Sequence, residues 1–140
     1  MSYSNYPIIV VDDDADDLDL FTAAYNELNF DKELLVFQSA ELFLDYLKTA
    51  RLIPFLIISD FNMPQVNGLR MRQILNNNPD LRYKSIPFVI WTTVANSSQV
   101  KAAYDNIVQG YFEKPSEFNL FKEQLRTLIE YWHFSKQPNI

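Results

Sequence analysis

Phe55-Leu-Ile-Ile-Ser-Asp60-Phe-Asn-Met-Pro64-Gln-Val-Asn-Gly68 is the stretch of sequence on which the fold of this chain depends. Residues 55–59 carry no charge and suit a strand covered on both faces, as in a parallel sheet flanked by helices. The strand ends at Asp60, and ligands of open α/β sheets bind beyond the carboxyl ends of the strands. Pro64 and Gly68 then indicate a loop. Asp60 is therefore either a reacting group or merely the end of a strand.

Four further apolar runs alternate with helical patterns, at residues 7–11, 33–37, 87–91 and 110–113. Helical spacing of apolar residues follows each strand, from about Ala15, Ser39, Leu69, Ala95 and Ser116. This alternation predicts a flavodoxin-like (βα)5 fold of class α/β, with a five-stranded parallel sheet in the order 2-1-3-4-5 and helices on both faces. We expect a single domain over residues 1–140, with a core at about 6–133 and no effector domain.

Composition restricts the class of function. The formal net charge of −6 over 140 residues argues against a nucleic-acid-binding surface, which is normally basic. No cysteine is present, which excludes disulfides and thiolate metal sites, and the two glycines, Gly68 and Gly110, are too far apart for a glycine-rich phosphate loop. No segment has the pattern of a signal peptide or a membrane span. We therefore expect a cytoplasmic protein without a membrane or nucleic-acid partner.

Three carboxylates converge on one edge of the predicted sheet. Asp12 and Asp13 follow the first strand, and Asp60 follows the third strand, its neighbour in the predicted order. Two carboxylates about 5 Å apart repel by roughly 3 kcal/mol at an effective dielectric near 20, so three together require a cation or protons. Oxygen ligands without histidine or cysteine select Mg²⁺ or a similar ion such as Mn²⁺. For the other acidic residues nearby we expect a solvated helix start, with Asp14 as a candidate N-cap before Asp16, Asp17 and Asp19.

Two further side chains suit the same edge of the sheet. Lys114 follows the fifth strand and Thr92 follows the fourth. A divalent ion and an ammonium group would stabilise the charge of a transferring phosphoryl group, and Asp60 could act as the nucleophile that forms an acyl phosphate. The sequence therefore predicts a phosphoryl-transfer site.

The motifs at these positions resemble those of the receiver domain of two-component response regulators, in particular its stand-alone, chemotaxis-response-regulator-like members. The resemblance covers nearly the whole chain. It rests on Val11-Asp-Asp13, on Asp60-Phe-Asn-Met-Pro-Gln-Val-Asn-Gly68, on Thr92-Thr93 and on Gly110-Tyr-Phe-Glu-Lys114-Pro115.

The resemblance implies a role for each site residue. Asp60 would accept a phosphoryl group from a phosphohistidine on a sensor histidine kinase or phosphotransfer protein, and Lys114 would pair first with Asp60 and then with the phosphate. Mg²⁺ would be bound directly by Asp13 and Asp60, chiefly through water by Asp12, and by the backbone carbonyl of Asn62.

The resemblance also implies a switch and an output surface. Thr92 would hydrogen-bond a phosphate oxygen and Tyr111 would turn inward, which changes the surface formed by helix 4, strand 5 and helix 5. That surface would bind a downstream protein or a second copy of the chain. The protein would not be an enzyme beyond self-catalysed phosphoryl transfer and autodephosphorylation, and the peptide bond before Pro115 would be cis.

Two alternatives remain. A Mg²⁺-dependent phosphatase with an aspartate nucleophile needs a second aspartate two residues later, where this chain has Asn62. A phosphorylation-independent interaction module would keep the fold and lose the switch, and the presence of all the acceptor-site residues argues against it.

Overall fold

Five parallel strands form the sheet of this protein, whose computed structural model describes residues 6–51, 53–80, 83 and 85–137. The strands are β1 (Ile8–Val11), β2 (Leu34–Phe37), β3 (Leu56–Ser59), β4 (Phe88–Thr92) and β5 (Gly110–Glu113). Their order is β2-β1-β3-β4-β5 and every pairing is parallel. The predicted fold and strand order are confirmed.

Helices follow each strand: α1 (Ala15–Leu28), α2 (Ala40–Thr49), α3 (Gly68–Asn76), α4 (Ser97–Asp105) and α5 (Phe118–Phe134). Asp14 and Ser39 cap α1 and α2 through their side-chain oxygens, as predicted. Helices α4 and α5 begin two residues later than predicted, because Asn96 and Glu117 are the side chains that accept the first-turn N–H groups. No helix in the described part of the chain is long and apolar enough to cross a membrane.

The side chains of the strands alternate between two cores, one on each face of the sheet. One core contains Val10, Ile58 and Trp91 and is closed by α1 and α5. The other contains Ile9 and Ile57 and is closed by α2, α3 and α4. Because both faces are covered, the strands are apolar along their length and present polar side chains where they end.

The register of the sheet places the predicted site residues side by side. Val11 pairs with Ser59 across β1 and β3, and the next residue, Asp60, donates its backbone N–H to Val11 O at 2.9 Å. On the other side, the backbone N–H of Lys114 donates to Thr92 O at 2.7 Å, so this lysine is held at the same edge by β4.

Gly68 begins α3 and packs directly against the end of β3. A Cβ at this position would collide with the backbone carbonyl oxygen of Asp60 and would lie 3.0 Å from Ser59 Oγ. We expect Gly68→Ala to lower the free energy of unfolding by about 1–3 kcal/mol, because backbone cannot move aside as a side chain can. Urea unfolding, followed by circular dichroism, measures the change.

Gly110→Ala is the matched control for this substitution. An added Cβ at Gly110 would lie 2.9 Å from the ring edge of Phe112, a side chain that can rotate away. Its cost should therefore be smaller than that of Gly68→Ala. Equal or greater destabilisation by Gly110→Ala would contradict the backbone collision assigned to Gly68.

Candidate functional site

Three carboxylates meet at the carboxyl edge of the sheet. One oxygen from each of Asp12, Asp13 and Asp60 lies within 4.8 Å of the others. Asp12 is buried, Asp60 is half-buried and Asp13 is exposed. The cluster is therefore anchored in the protein at Asp12 and open to solvent at Asp13, an arrangement that suits a partly hydrated cation.

Asp12 is held from both sides of its carboxylate. Its Oδ1 accepts the backbone N–H of Asp14 at 3.0 Å, and its Oδ2 accepts the ammonium of Lys114 at 2.7 Å. Burial raises the pKa of Asp12 to about 6, and the charge of Asp60 acts in the same direction, while the two hydrogen bonds only partly offset these effects.

Asp60 is oriented by its immediate neighbours in sequence. The backbone N–H of Phe61 donates to Asp60 Oδ1 at 2.9 Å, and the hydroxyl of Ser59 donates to the backbone carbonyl of Asp60 at 2.8 Å. Phe61 is itself buried, and its ring lies 6.3 Å from that of Tyr111. The carboxylate is therefore fixed at the edge of the sheet beside a packed aromatic pair.

The ion-pair partners of Lys114 differ from the predicted one. Its Nζ donates to Asp12 Oδ2 at 2.7 Å and to Asp17 Oδ2 at 2.8 Å, and among the described residues no ion pair joins it to Asp60. The expected resting pair of Lys114 with Asp60 is therefore wrong. The physical reason is that the carboxylate of Asp12 is 1% exposed, so it gains more from a counter-ion than the half-buried Asp60 does.

Asp12 and Asp17 stabilise the charged form of Lys114. Its side chain is 9% exposed, and desolvation on burial works to lower the pKa of the ammonium. The hydrogen bonds that the ammonium donates to Asp12 and Asp17, together with the charges of Asp12 and Asp60, overcome this effect and raise the pKa above its ordinary value. Asp17, expected to be one of several solvated acids, is thus part of the site.

The switch candidates lie on the β4–β5 side of the edge. Thr92 is buried at the end of β4. Tyr111 is half-buried, and its hydroxyl lies 3.5 Å from Gln99 Oε1 on α4. Burial and the charge of Asp60 raise the pKa of Tyr111, which keeps the phenol neutral. Asn62 is exposed in the loop after Asp60.

The peptide bond before Pro115 is trans, and no cis bond occurs among the described residues, so the expected cis bond is wrong. Trans is the intrinsically preferred form of an X–Pro bond, by roughly 0.5–1 kcal/mol.

Exposed apolar side chains occur on and after α4 and on α5. They are Tyr104 on α4, Ile107 just after α4, and Leu120, Tyr131 and Phe134 on α5. Of these, Tyr131 lines a groove between β5 and α5, together with Phe112, Leu128 and Trp132. Leu120, Tyr131 and Phe134 are exposed by 51%, 62% and 80%.

Comparison with known proteins relates this chain to response regulators. The family model for the response regulator receiver domain matches residues 8–126. The response regulator Rcp1 of Synechocystis sp. is 30% identical over 138 residues, which cover 92% of this chain and 91% of Rcp1.

Two solved structures have the same fold. The Mn(2+)-bound form of Rcp1 matches with a TM-score of 0.81 and 25% identity, over 95% of this chain and 99% of that one. The phosphorylated cyanobacterial phytochrome response regulator RcpA matches with a TM-score of 0.84 and 23% identity, over 96% and 99% of the two chains.

Proposed function

This chain belongs to the family of response regulator receiver domains, which are signalling proteins switched by phosphorylation, and we propose that Asp60 is the residue that accepts the phosphoryl group. The observation that carries the proposal is the meeting of Asp12, Asp13 and Asp60 within 4.8 Å. Of the three, Asp60 is the half-buried carboxylate at the end of the strand next to β1, and its Oδ1 already accepts the backbone N–H of Phe61.

The donor is a phosphohistidine on a sensor histidine kinase or a phosphotransfer protein. A carboxylate oxygen of Asp60 attacks phosphorus, the bond from phosphorus to the imidazole nitrogen breaks, and the imidazole leaves with the bonding electron pair. The product is an acyl phosphate on Asp60, and later attack by water returns the carboxylate and releases inorganic phosphate. The protein's own chemistry is limited to this transfer and hydrolysis.

The residues of the cluster fit a divalent cation, Mg²⁺ or Mn²⁺. Asp13 and Asp60 would bind it directly, together with the backbone carbonyl of Asn62. Asp12 would act mainly through water, because both of its oxygens already accept hydrogen bonds from Asp14 and Lys114. Rcp1 carries Mn²⁺ in its solved structure. When bound, the cation would neutralise charge on the phosphoryl oxygens.

Lys114 would act on the phosphoryl group during and after its transfer, and Thr92 would act on it after the reaction. Lys114 would contact a phosphoryl oxygen and Thr92 would donate its hydroxyl to another. Tyr111 would then move inward and release its contact with Gln99, which alters the surface of α4, β5 and α5. A downstream protein or a second copy of the chain would read that surface, in the cytoplasm. The single-domain organisation over residues 1–140 stays a prediction.

The pKa of Asp12 predicts how cation binding depends on pH. Because burial raises this pKa to about 6, Asp12 is a carboxylate at pH 7 and takes up a proton below about 6. Protonation of Asp12 alone should lower the apparent affinity for Mg²⁺ about tenfold for each pH unit below about 6. Calorimetric Mg²⁺ titrations between about pH 5 and pH 8 measure the dependence.

Asp12→Asn should bind Mg²⁺ more weakly and lose this step in the profile. Affinity that stays constant down to about pH 5 would contradict the raised pKa. The metal-free protein should show the opposite trend in stability. Since the folded pKa lies above the ordinary value of 3.8, the contribution of Asp12 to folding is full below about pH 4 and is lost as pH rises through about 6.

Acetyl phosphate tests the proposed function without the cognate kinase. Intact-mass spectrometry should show one phosphoryl group added per chain with Mg²⁺, and none when the cation is removed by a chelator. Multiple turnover of a phosphomonoester, with release of inorganic phosphate, would instead identify the aspartate-nucleophile phosphatase. Failure to incorporate phosphate with Mg²⁺ present would support the phosphorylation-independent module.

A further inference from the structure

Asp17 occupies an unexpected position at the edge of the site. It is the third residue of α1, and its Oδ2 lies 2.8 Å from the ammonium nitrogen of Lys114, 97 residues away in sequence. The side chain of Asp17 is 28% exposed and that of Lys114 is 9% exposed, so this is a partly buried ion pair. Asp17 is not one of the three carboxylates that could share a cation.

We propose that Asp17 is a positioning residue that holds Lys114 on the α1 side of the site in the resting protein, and that phosphorylation of Asp60 requires Lys114 to leave Asp17. The inference rests on the proposed function, because it concerns the same site. Asp17 lies outside the cation cluster, and its contact with Lys114 sets how easily Lys114 moves to the phosphoryl group on Asp60.

The two partners of Lys114 have different consequences. Asp12 belongs to the carboxylate cluster, so its contact with Lys114 keeps the ammonium next to the cation site. Asp17 lies on the helix and outside the cluster, so its contact competes with any approach of Lys114 to Asp60. A lysine ammonium has three donors, and two of them are used by Asp12 and Asp17.

Phosphorylation changes the balance between these competing contacts. A carboxylate carries one negative charge, whereas a phosphoryl group carries between one and two at neutral pH and offers three strong acceptor oxygens. The flexible stem of lysine allows its ammonium to move between neighbouring anions. Lys114 is thus retained by Asp12 and Asp17 in the resting protein and drawn towards Asp60 as the phosphoryl group is transferred.

Asp16 provides a matched control for the general effects of charge. Asp16 and Asp17 are the acidic residues in the first turn of α1, and both donate a backbone N–H to the side chain of Asp14. Asp16 is exposed, and the ion pairs of Lys114 do not include it. Asp16→Asn and Asp17→Asn remove the same charge from the same helix turn, and only Asp17→Asn removes the ion pair with Lys114.

The first measurement reports directly on Lys114 in the metal-free protein. The ¹H–¹⁵N signal of its ammonium group should be shifted, and should exchange faster with water, in Asp17→Asn, while Asp16→Asn should match the wild type. Asp17→Glu keeps the carboxylate and should restore most of the wild-type signal. A signal that responds equally to Asp16→Asn and Asp17→Asn would overturn the inference.

The second measurement uses beryllofluoride, which mimics a phosphoryl group on a carboxylate, in the presence of Mg²⁺. Asp17→Asn should bind it about five to ten times more tightly than Asp16→Asn, because Lys114 no longer has to leave a charged partner. Affinities within about a factor of two, or weaker binding by Asp17→Asn, would overturn the inference. If the wild type binds no beryllofluoride and accepts no phosphoryl group, the proposed function fails and the inference fails with it. Normal wild-type binding without a difference between the variants removes the inference alone.

Discussion

Asp60→Asn is expected to take up no phosphoryl group from acetyl phosphate under conditions that fully modify the wild type. The amide keeps the size of the side chain and can still accept the backbone N–H of Phe61, so the loop after β3 should keep its shape. It lacks the anionic oxygen that must attack phosphorus, and without that nucleophile no acyl phosphate forms. Intact-mass spectrometry after a fixed reaction time gives the result.

The same variant should be more stable than the wild type when no cation is present. Asp60 is one of three carboxylates within 4.8 Å, and removing its charge relieves repulsion with Asp12 and Asp13. We expect a gain of about 1 kcal/mol in the free energy of unfolding, reduced from the Coulomb value because the site is partly open to solvent. Asp19→Asn, an exposed acid on α1, is the control and should change phosphorylation and stability little. Equal modification of Asp60→Asn and wild type would remove the assignment of the acceptor.

Lys114→Ala should have a large effect on both stability and phosphorylation. It leaves the carboxylate of Asp12, which is 1% exposed, without its cation. The pKa of Asp12 should then rise above its present value of about 6, and the metal-free protein should lose about 2–4 kcal/mol at pH 7. Loss of the ammonium group from the transfer step should slow phosphorylation by about 10²–10³-fold.

Lys122→Ala is the control for the loss of a lysine in an ion pair. Lys122 bonds Glu27 at 3.1 Å, and that glutamate is 53% exposed, so its contribution should stay within about 1 kcal/mol. Urea unfolding and the rate of modification by acetyl phosphate should separate the two variants clearly. If Lys114→Ala resembled Lys122→Ala in both measurements, the role given to Lys114 would be wrong.

The fold could be predicted because apolar strands and amphipathic helices alternate along the chain. The uncharged run before Asp60 and the acids after Val11 each mark the end of a strand buried on both faces. Strand order then places Asp12, Asp13 and Asp60 together without further information. The predicted starts of α4 and α5 lie two residues too early, because several polar residues in each loop are chemically able to cap a helix.

The partners of Lys114 could not be predicted from sequence. Asp17 lies in a run of acids at a helix start, where solvated carboxylates are the usual finding, and no local pattern separates it from Asp16. Asp17 differs from Asp16 only in the folded structure, where α1 directs Asp17 towards Lys114 at the end of β5 and leaves Asp16 exposed. Resemblance to a family also suggested a resting contact between Lys114 and Asp60, whereas burial of Asp12 favours a different counter-ion arrangement.

Reductive trapping of the phosphorylated wild-type protein tests the central claim most directly. Borohydride cleaves an acyl phosphate and converts the modified aspartate to homoserine, which tandem mass spectrometry locates in a peptide. After treatment with acetyl phosphate and Mg²⁺, we predict conversion at residue 60 and at no other aspartate. Conversion at Asp12 or Asp13, or a protein that incorporates phosphate without any conversion at Asp60, would contradict the account.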